Sequence, residues 1–242
     1  MRRCSQGLSI AALYHSAEIR WFLPDQGHWD RLFAWFMLPG QLPLIVEDEN
    51  YIKKDLSKPF VKEEKPRTDA YLLFPDSEAI GVKRRQGRLE VKALVAGPRP
   101  FSLGAVAGRM DQWVKWSFAP SESIRAQLGI ELDQSGEWCE VEKIRYLQKY
   151  SFDAGSWIAV SPEQYPDAGC SIELTKVKVL PDAGCWLTLG FEAFAPSGRL
   201  IALLDKAMQN FFTGHGPPPV QLDGRDSLSY PAWLSMLHFK VT

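Results

Sequence analysis

Charged side chains recur two residues apart in stretch after stretch of this 242-residue chain. That spacing decides what chemistry they can do together. In an extended strand successive side chains point to opposite faces, so residues i and i+2 share one. Over 79–85 the shared pair is Lys83 and Arg85, and over 88–95 Glu90, Lys92 and Leu94 share a face. Over 138–146, Lys143 and Arg145 share one with Cys139 and Val141. Over 170–180, Glu173 faces away from Lys176 and Lys178, and in the first strand Glu18 and Arg20 sit with Phe22. Arginine grips phosphate bidentately and lysine acts as a point charge. Such pairs on a solvated outer face bind nothing in particular. Aimed from several strands into one lumen, they make a site for a multiply charged anion, and periodicity alone gives the two outcomes equal weight. A barrel wide enough to hold a ligand permits the second, because its interior takes alternate residues and can be polar.

The elements that must position these residues follow from the same pattern. Strands are predicted over 17–23, Leu42–Val46, Thr68–Phe74, Ala79–Arg85, Arg88–Val95, 112–118, 137–152, 156–160, 170–180 and 185–194, with Gln86-Gly87 as a hairpin turn. Apolar residues at helical spacing predict helices over 28–38 and Gly198–Phe212, a short one over 121–129, and a last short element over 230–241. The charged stretch from Glu47 to Lys65 is expected to be solvated. Regularly spaced strands with turns between them predict a mainly β (α+β) fold. The expected form is a closed antiparallel β-barrel or tunnel of about eight strands with flanking helices. It is expected as a single domain, with a core over about 16–212 and a C-terminal extension over 213–242.

Bulk properties narrow the classes. A formal net charge of −1 offers no whole-molecule field to recruit nucleic acid or an anionic membrane, so any anion site must come from local clustering. No window approaches the length needed to span a bilayer, and the interrupted run Leu8–Tyr14 is a poor signal peptide, so cytoplasm is the expected compartment. The four cysteines form no CxxC pair and are expected to be reduced thiols, although Cys170 and Cys185 could be neighbours. The four histidines show no metal spacing, and no Walker loop or nucleophile elbow appears. The interleaved tryptophans are expected in the core.

The order of several short motifs resembles the CYTH family, the triphosphate tunnel metalloenzymes. Ser16-Ala-Glu18-Ile-Arg20-Trp-Phe is similar to that family's opening Glu-x-Glu-x-Lys strand, and Arg67-Thr-Asp69-Ala-Tyr71, followed by Pro75-Asp76, to its Asp-x-Tyr strand. Gly81-Val-Lys83-Arg84-Arg85-Gln-Gly87-Arg-Leu-Glu-Val-Lys92 resembles its basic hairpin, and Val141-Glu-Lys143-Ile-Arg145 its Lys-x-Arg strand. Cys170-Ser-Ile-Glu173-Leu and Leu189-Gly-Phe-Glu192 resemble its late acidic strands. The resemblance implies an open tunnel in which Lys83, Arg85, Lys92, Lys143 and Arg145 bind a triphosphate or polyphosphate. It also implies Glu18, Glu173 and Glu192 on Mg²⁺ or Mn²⁺, with Arg20 and Glu18 at the reacting phosphate of a metal-dependent triphosphatase.

The departures fall mostly on the acidic half. Ser16 stands at the first Glu, Arg20 at the Lys, Gly190 at a late Glu, and Trp113-Val-Lys115-Trp-Ser117-Phe118 where an acidic strand belongs. Hard divalent ions want several oxygen ligands. The expectation is therefore retained anion binding, with metal-dependent hydrolysis weak, altered or absent. The alternatives are a non-catalytic anion- or nucleotide-binding protein and a protein-interaction module with its basic residues solvated outside.

Overall fold

The computed structural model describes residues 14–38, 61–75, 77–119, 138–181, 184–196 and 198–239. The expected strand Leu42–Val46, the expected helix over 121–129, Cys4, Asp76, most of the Leu8–Tyr14 run and the charged stretch before residue 61 lie outside them.

Ten strands form, in chain order β1 Tyr14–Pro24, β2 Lys62–Glu63, β3 Arg67–Leu72, β4 Ile80–Arg85, β5 Arg88–Leu103, β6 Val106–Phe118, β7 Trp138–Asp153, β8 Ser156–Val160, β9 Gly169–Val179 and β10 Cys185–Phe194. Three helices accompany them among the described residues: α1 Trp29–Phe36, α2 Leu200–His215 and α3 Tyr230–Phe239. The antiparallel order β7-β3-β4-β5-β6-β1-β10-β9 closes on itself because β9 also pairs with β7 over Val141–Ser151. Eight strands thus make a closed barrel, as the sequence pattern predicts. β2 extends the β3 ladder along β7, and β8 forms a hairpin with the far end of β7.

Local sequence sets each piece. Gln86 and Gly87 both take positive φ, +49° and +74°, in the two-residue turn that joins β4 to β5. That backbone matches the twist of the flanking strands, and glycine adopts it without steric cost. Register shifts at Leu94/Ala96 and Ala96/Arg99 bend the long β5–β6 hairpin, as bulges do.

Two apolar clusters hold the barrel. The larger covers its outside: Ile19, Trp21, Ile172, Leu174, Leu189 and Phe191 meet Leu203, Leu204, Met208, Phe211 and Phe212 of α2 and Leu32, Trp35 and Phe36 of α1. Trp21 meets Phe191 and Phe212 edge-on, at 6.4 Å in each case. Burial of each such side chain contributes roughly 1.5–3 kcal/mol. The smaller cluster lies within the bore itself and gathers Phe22, Val141, Val177 and Val179 around Tyr230, Trp233 and Leu234 of α3. The resemblance implies an open tunnel; here the C-terminal helix stands across one end. No helix among the described residues is long and apolar enough to cross a membrane.

Candidate functional site

Alternation along β1, β3–β7, β9 and β10 turns a set of charged side chains inward, where they line one cavity of ≈ 210 Å³. The structure brings together there every residue expected to bind phosphate or metal. Lys83 and Arg85 come from β4, Lys92 from β5, Lys143 and Arg145 from β7, Glu18 and Arg20 from β1, Glu173 from β9 and Glu192 from β10. Lys176 and Lys178, of opposite parity, face outward into a separate groove with Glu142 and Ile144.

The cavity holds more than the sequence suggested. Arg67 and Tyr71 of β3, Glu90 of β5, Lys115 of β6, Thr175 of β9 and Tyr230 of α3 also line it. Period-2 parity was enough to find Glu90 from Lys92, and Arg67 and Tyr71 from Asp69. Lys115 sits where the resemblance expects acid, and nothing local signals that Tyr230 reaches the bore.

Inside the lumen the charges are matched. Glu173 receives Arg145 at 2.8 Å on one oxygen and pairs with Arg20 through the other. Arg145 also grips both oxygens of Glu64, at 2.6 and 2.8 Å, and Arg67 reaches the same carboxylate at 2.7 Å. Glu18 accepts from Lys92 at 2.9 Å and from the Ser16 hydroxyl at 3.1 Å, so the residue standing at the expected first Glu supports the remaining one. Lys83 pairs with Glu90 at 2.9 Å, and Lys115 with Glu192 at 3.5 Å. The fully buried Asp69 draws Lys143 at 3.3 Å and Lys83 at 3.9 Å. Lys143 also hydrogen-bonds the Tyr71 hydroxyl and lies 3.8 Å from the centre of the Tyr230 ring.

These pairings reset the ionisation of the lining. Burial opposes charge on Glu173, but Arg20 and Arg145 outweigh it and hold the carboxyl far below the usual range. Burial likewise opposes charge on Asp69, Glu90 and Glu64, and the facing cations again win. For two of the lysines burial wins instead. It pushes Lys143 down to about 7 and Lys83 down to about 8, against the pull of Asp69 and Glu90. Asp111, directly across from Glu18 in register, is raised to about 6 by burial.

The expected metal ligands fit a divalent ion poorly. Glu18 and Glu192 are register neighbours and Glu173 lines the same cavity, yet both oxygens of Glu18 and both of Glu173 already accept from protein donors. Among the described residues no group of three or more histidine, cysteine or acidic side chains could hold an ion. The resemblance's metal trio is thus an ion-paired set. One polar atom of the lining keeps its capacity: the Thr175 hydroxyl is buried and makes no hydrogen bond. The described cysteines Cys139, Cys170 and Cys185 are free thiols. The tryptophans are mostly core: Trp21, Trp35, Trp113, Trp157 and Trp233 are buried.

No family model matches the chain, and no curated protein matches it. The closed eight-strand barrel is compatible with a tunnel fold of the kind that the motif order resembles.

Proposed function

We propose that the barrel binds a compact, multiply charged anion of the triphosphate or polyphosphate type in its lumen, without a metal of its own. One observation carries this: eight cationic side chains from six strands converge on a single cavity whose lining holds four carboxylates. Even with Asp69 and Glu64 counted, which pair with these cations from behind, positive groups stay in excess. The cations line the inside of the barrel, which favours this reading over an interaction module with its basic residues solvated outside.

The internal carboxylates explain how so many cations can be buried. Burying an unpaired charge is costly, and an internal counter-ion offsets the cost while the lumen is otherwise empty of anions. An incoming phosphate offers a stronger partner, since arginine forks and ammonium groups bond it with charge assistance and little competing water. Arg20, Lys83, Arg85, Lys92, Lys143 and Arg145 then exchange carboxylate for phosphate oxygens, and the free Thr175 hydroxyl donates to one more. Binding here needs alignment and charge neutralisation only.

The test is a thermal shift with tripolyphosphate in chelator-treated buffer. A ligand confined to the folded state stabilises it by RT ln(1 + [L]/Kd), about 2.7 kcal/mol at a hundredfold excess over Kd. A shift that Lys143→Met and Arg145→Met both reduce is the expected result. No shift, or one indifferent to both substitutions, refutes the lumen as the binding site.

A further inference from the structure

Among the described residues, aromatic rings plug one end of the bore. There Phe22 stacks on Trp233 at 4.4 Å and Tyr71 on Tyr230 at 5.3 Å, so rings from β1, β3 and α3 fill the cross-section. Pro231 packs close enough to Gly81 that a Cβ there would stand 3.1 Å from the proline ring, which seats the helix against β4 as well. Three ion pairs of the lining differ stepwise in exposure. Beside the helix the Asp69 and Lys143 side chains are 0% and 4% exposed; Arg20 and Glu173 are 11% and 13%; Lys115 and Glu192 reach 31% and 29%. A bore open at both ends would show two exposed ends and a buried middle. The volume of ≈ 210 Å³ also falls below the roughly 300–1,000 Å³ of pockets that enclose drug-sized ligands.

Resting on the reading of the lumen as an anion site, we infer that this protein takes a linear phosphate chain by its free end. The end enters past Lys115 and Glu192 and stops against Tyr230 and Lys143. Interior units of a long chain would not be threaded past this plug, because among the described residues its rings stand in the path of the leading end. The charge distribution suits a terminus: an end phosphoryl group can carry nearly two negative charges where an interior unit carries one. The deepest cation, Lys143, is the one on which such a group would come to rest.

Counting proteins per chain tests this with the unmodified protein. Linear polyphosphates of two well-separated lengths are titrated with excess protein and the complexes sized by sedimentation. The expected complex holds two proteins per chain, one for each end, at both lengths. A count that grows with length overturns end binding while leaving the lumen as an anion site. Failure of tripolyphosphate itself to bind removes the reading beneath both. Cyclic tetrametaphosphate supplies a second arm, having comparable charge and no end. It should bind at least about tenfold more weakly than linear tripolyphosphate, a difference of about 1.4 kcal/mol; equal affinity overturns the proposal. Lys143→Met should weaken capture of the long chain, and an unchanged complex would put the chain outside the barrel and end the proposal.

Discussion

The guanidinium of Arg20 lies flat over Gly190: a Cβ built on that glycine would stand 2.5 Å from Arg20 Cζ. The two are register partners on β1 and β10, and Gly190 is also the partner of Glu173 on β9. The missing side chain is what lets Arg20 cross the intervening strand, reach Glu173 and bond the Thr188 hydroxyl at 3.0 Å. Two departures from the expected motifs, Arg for Lys and Gly for Glu, are thus two halves of one packing arrangement.

Gly190→Ala should therefore displace Arg20 and destabilise the barrel by about 1–3 kcal/mol, the usual cost of overpacking. Added to Arg20→Ala the same change should cost far less, because its clash is gone. Urea unfolding of both single variants and the double variant measures the coupling, expected at roughly 0.5–3 kcal/mol. Additive losses would show that the two residues do not depend on each other.

Removing the carboxylate shared by Arg20 and Arg145 should separate stability from affinity. Glu173→Gln leaves two buried guanidinium groups short of a counter-ion, and breaking such a pair typically costs about 3–5 kcal/mol. The same guanidinium groups become free for phosphate. Titration calorimetry with tripolyphosphate should therefore record tighter binding by a less stable protein. Weaker binding would mean that Glu173 positions the cations rather than competing for them.

The acid limb of stability follows from the same carboxylates. Glu173, Glu64, Glu90 and Asp69 are held below their ordinary range by facing cations. The folded state then binds fewer protons than the unfolded chain, whose carboxyls titrate near about 4. Stability from these pairs is complete above that value and is lost as pH falls through it and beyond. The stability gap between wild type and Glu173→Gln should shrink as pH drops from about 6 to about 3. A gap constant across that range is the contrary result.

Phosphate binding should take up protons at mildly alkaline pH. Burial brings Lys143 to about 7 and Lys83 to about 8 in the free protein. A bound polyanion favours their charged forms and raises both values. At pH about 8 the free lumen is partly deprotonated and the complex is not, so calorimetry in buffers of different ionisation heat should report net uptake. Near pH 5.5, about where both lysines are already charged, uptake from them should vanish. Lys143→Met should remove part of the uptake at pH 8, and an unaltered value would assign the protons elsewhere.

Chelation separates the lumen from a metal site. With the oxygens of Glu18 and Glu173 occupied by protein donors, EDTA should leave the tripolyphosphate thermal shift unchanged within about 1 °C. Phosphate release should stay at background with Mg²⁺ or Mn²⁺ supplied. Turnover with either ion would reinstate the acidic trio as ligands.

Much of this was legible in the chain because a strand writes its faces in plain alternation. Lys83 with Arg85 and Lys143 with Arg145 could be assigned to common faces, and the closed barrel supplied the shared interior. Which acid meets which base was not legible. Arg145 meets Glu64 and Glu173 across β2–β7 and β7–β9 contacts whose register no local pattern encodes. The plug was hidden for a similar reason. The element over 230–241 reads as short and apolar, but its destination is set by the run before it, where Phe22 donates its backbone N–H to Asp226 and Leu228 donates to Arg20. Gly190 looked like a lost ligand until its neighbour on β1 was known.

The seam between β7 and β9 makes the chamber a late product of synthesis. Arg20 lacks its direct ion-pair partner until Glu173 has been made, and Tyr230 comes later still. Long-range pairing of this kind is slow, because the loops must close before their contacts reward them. A nascent or truncated chain would carry the same lysines and arginines as scattered surface charge. Occupancy by phosphate would then mark only those molecules in which α3 has been made and the barrel has closed.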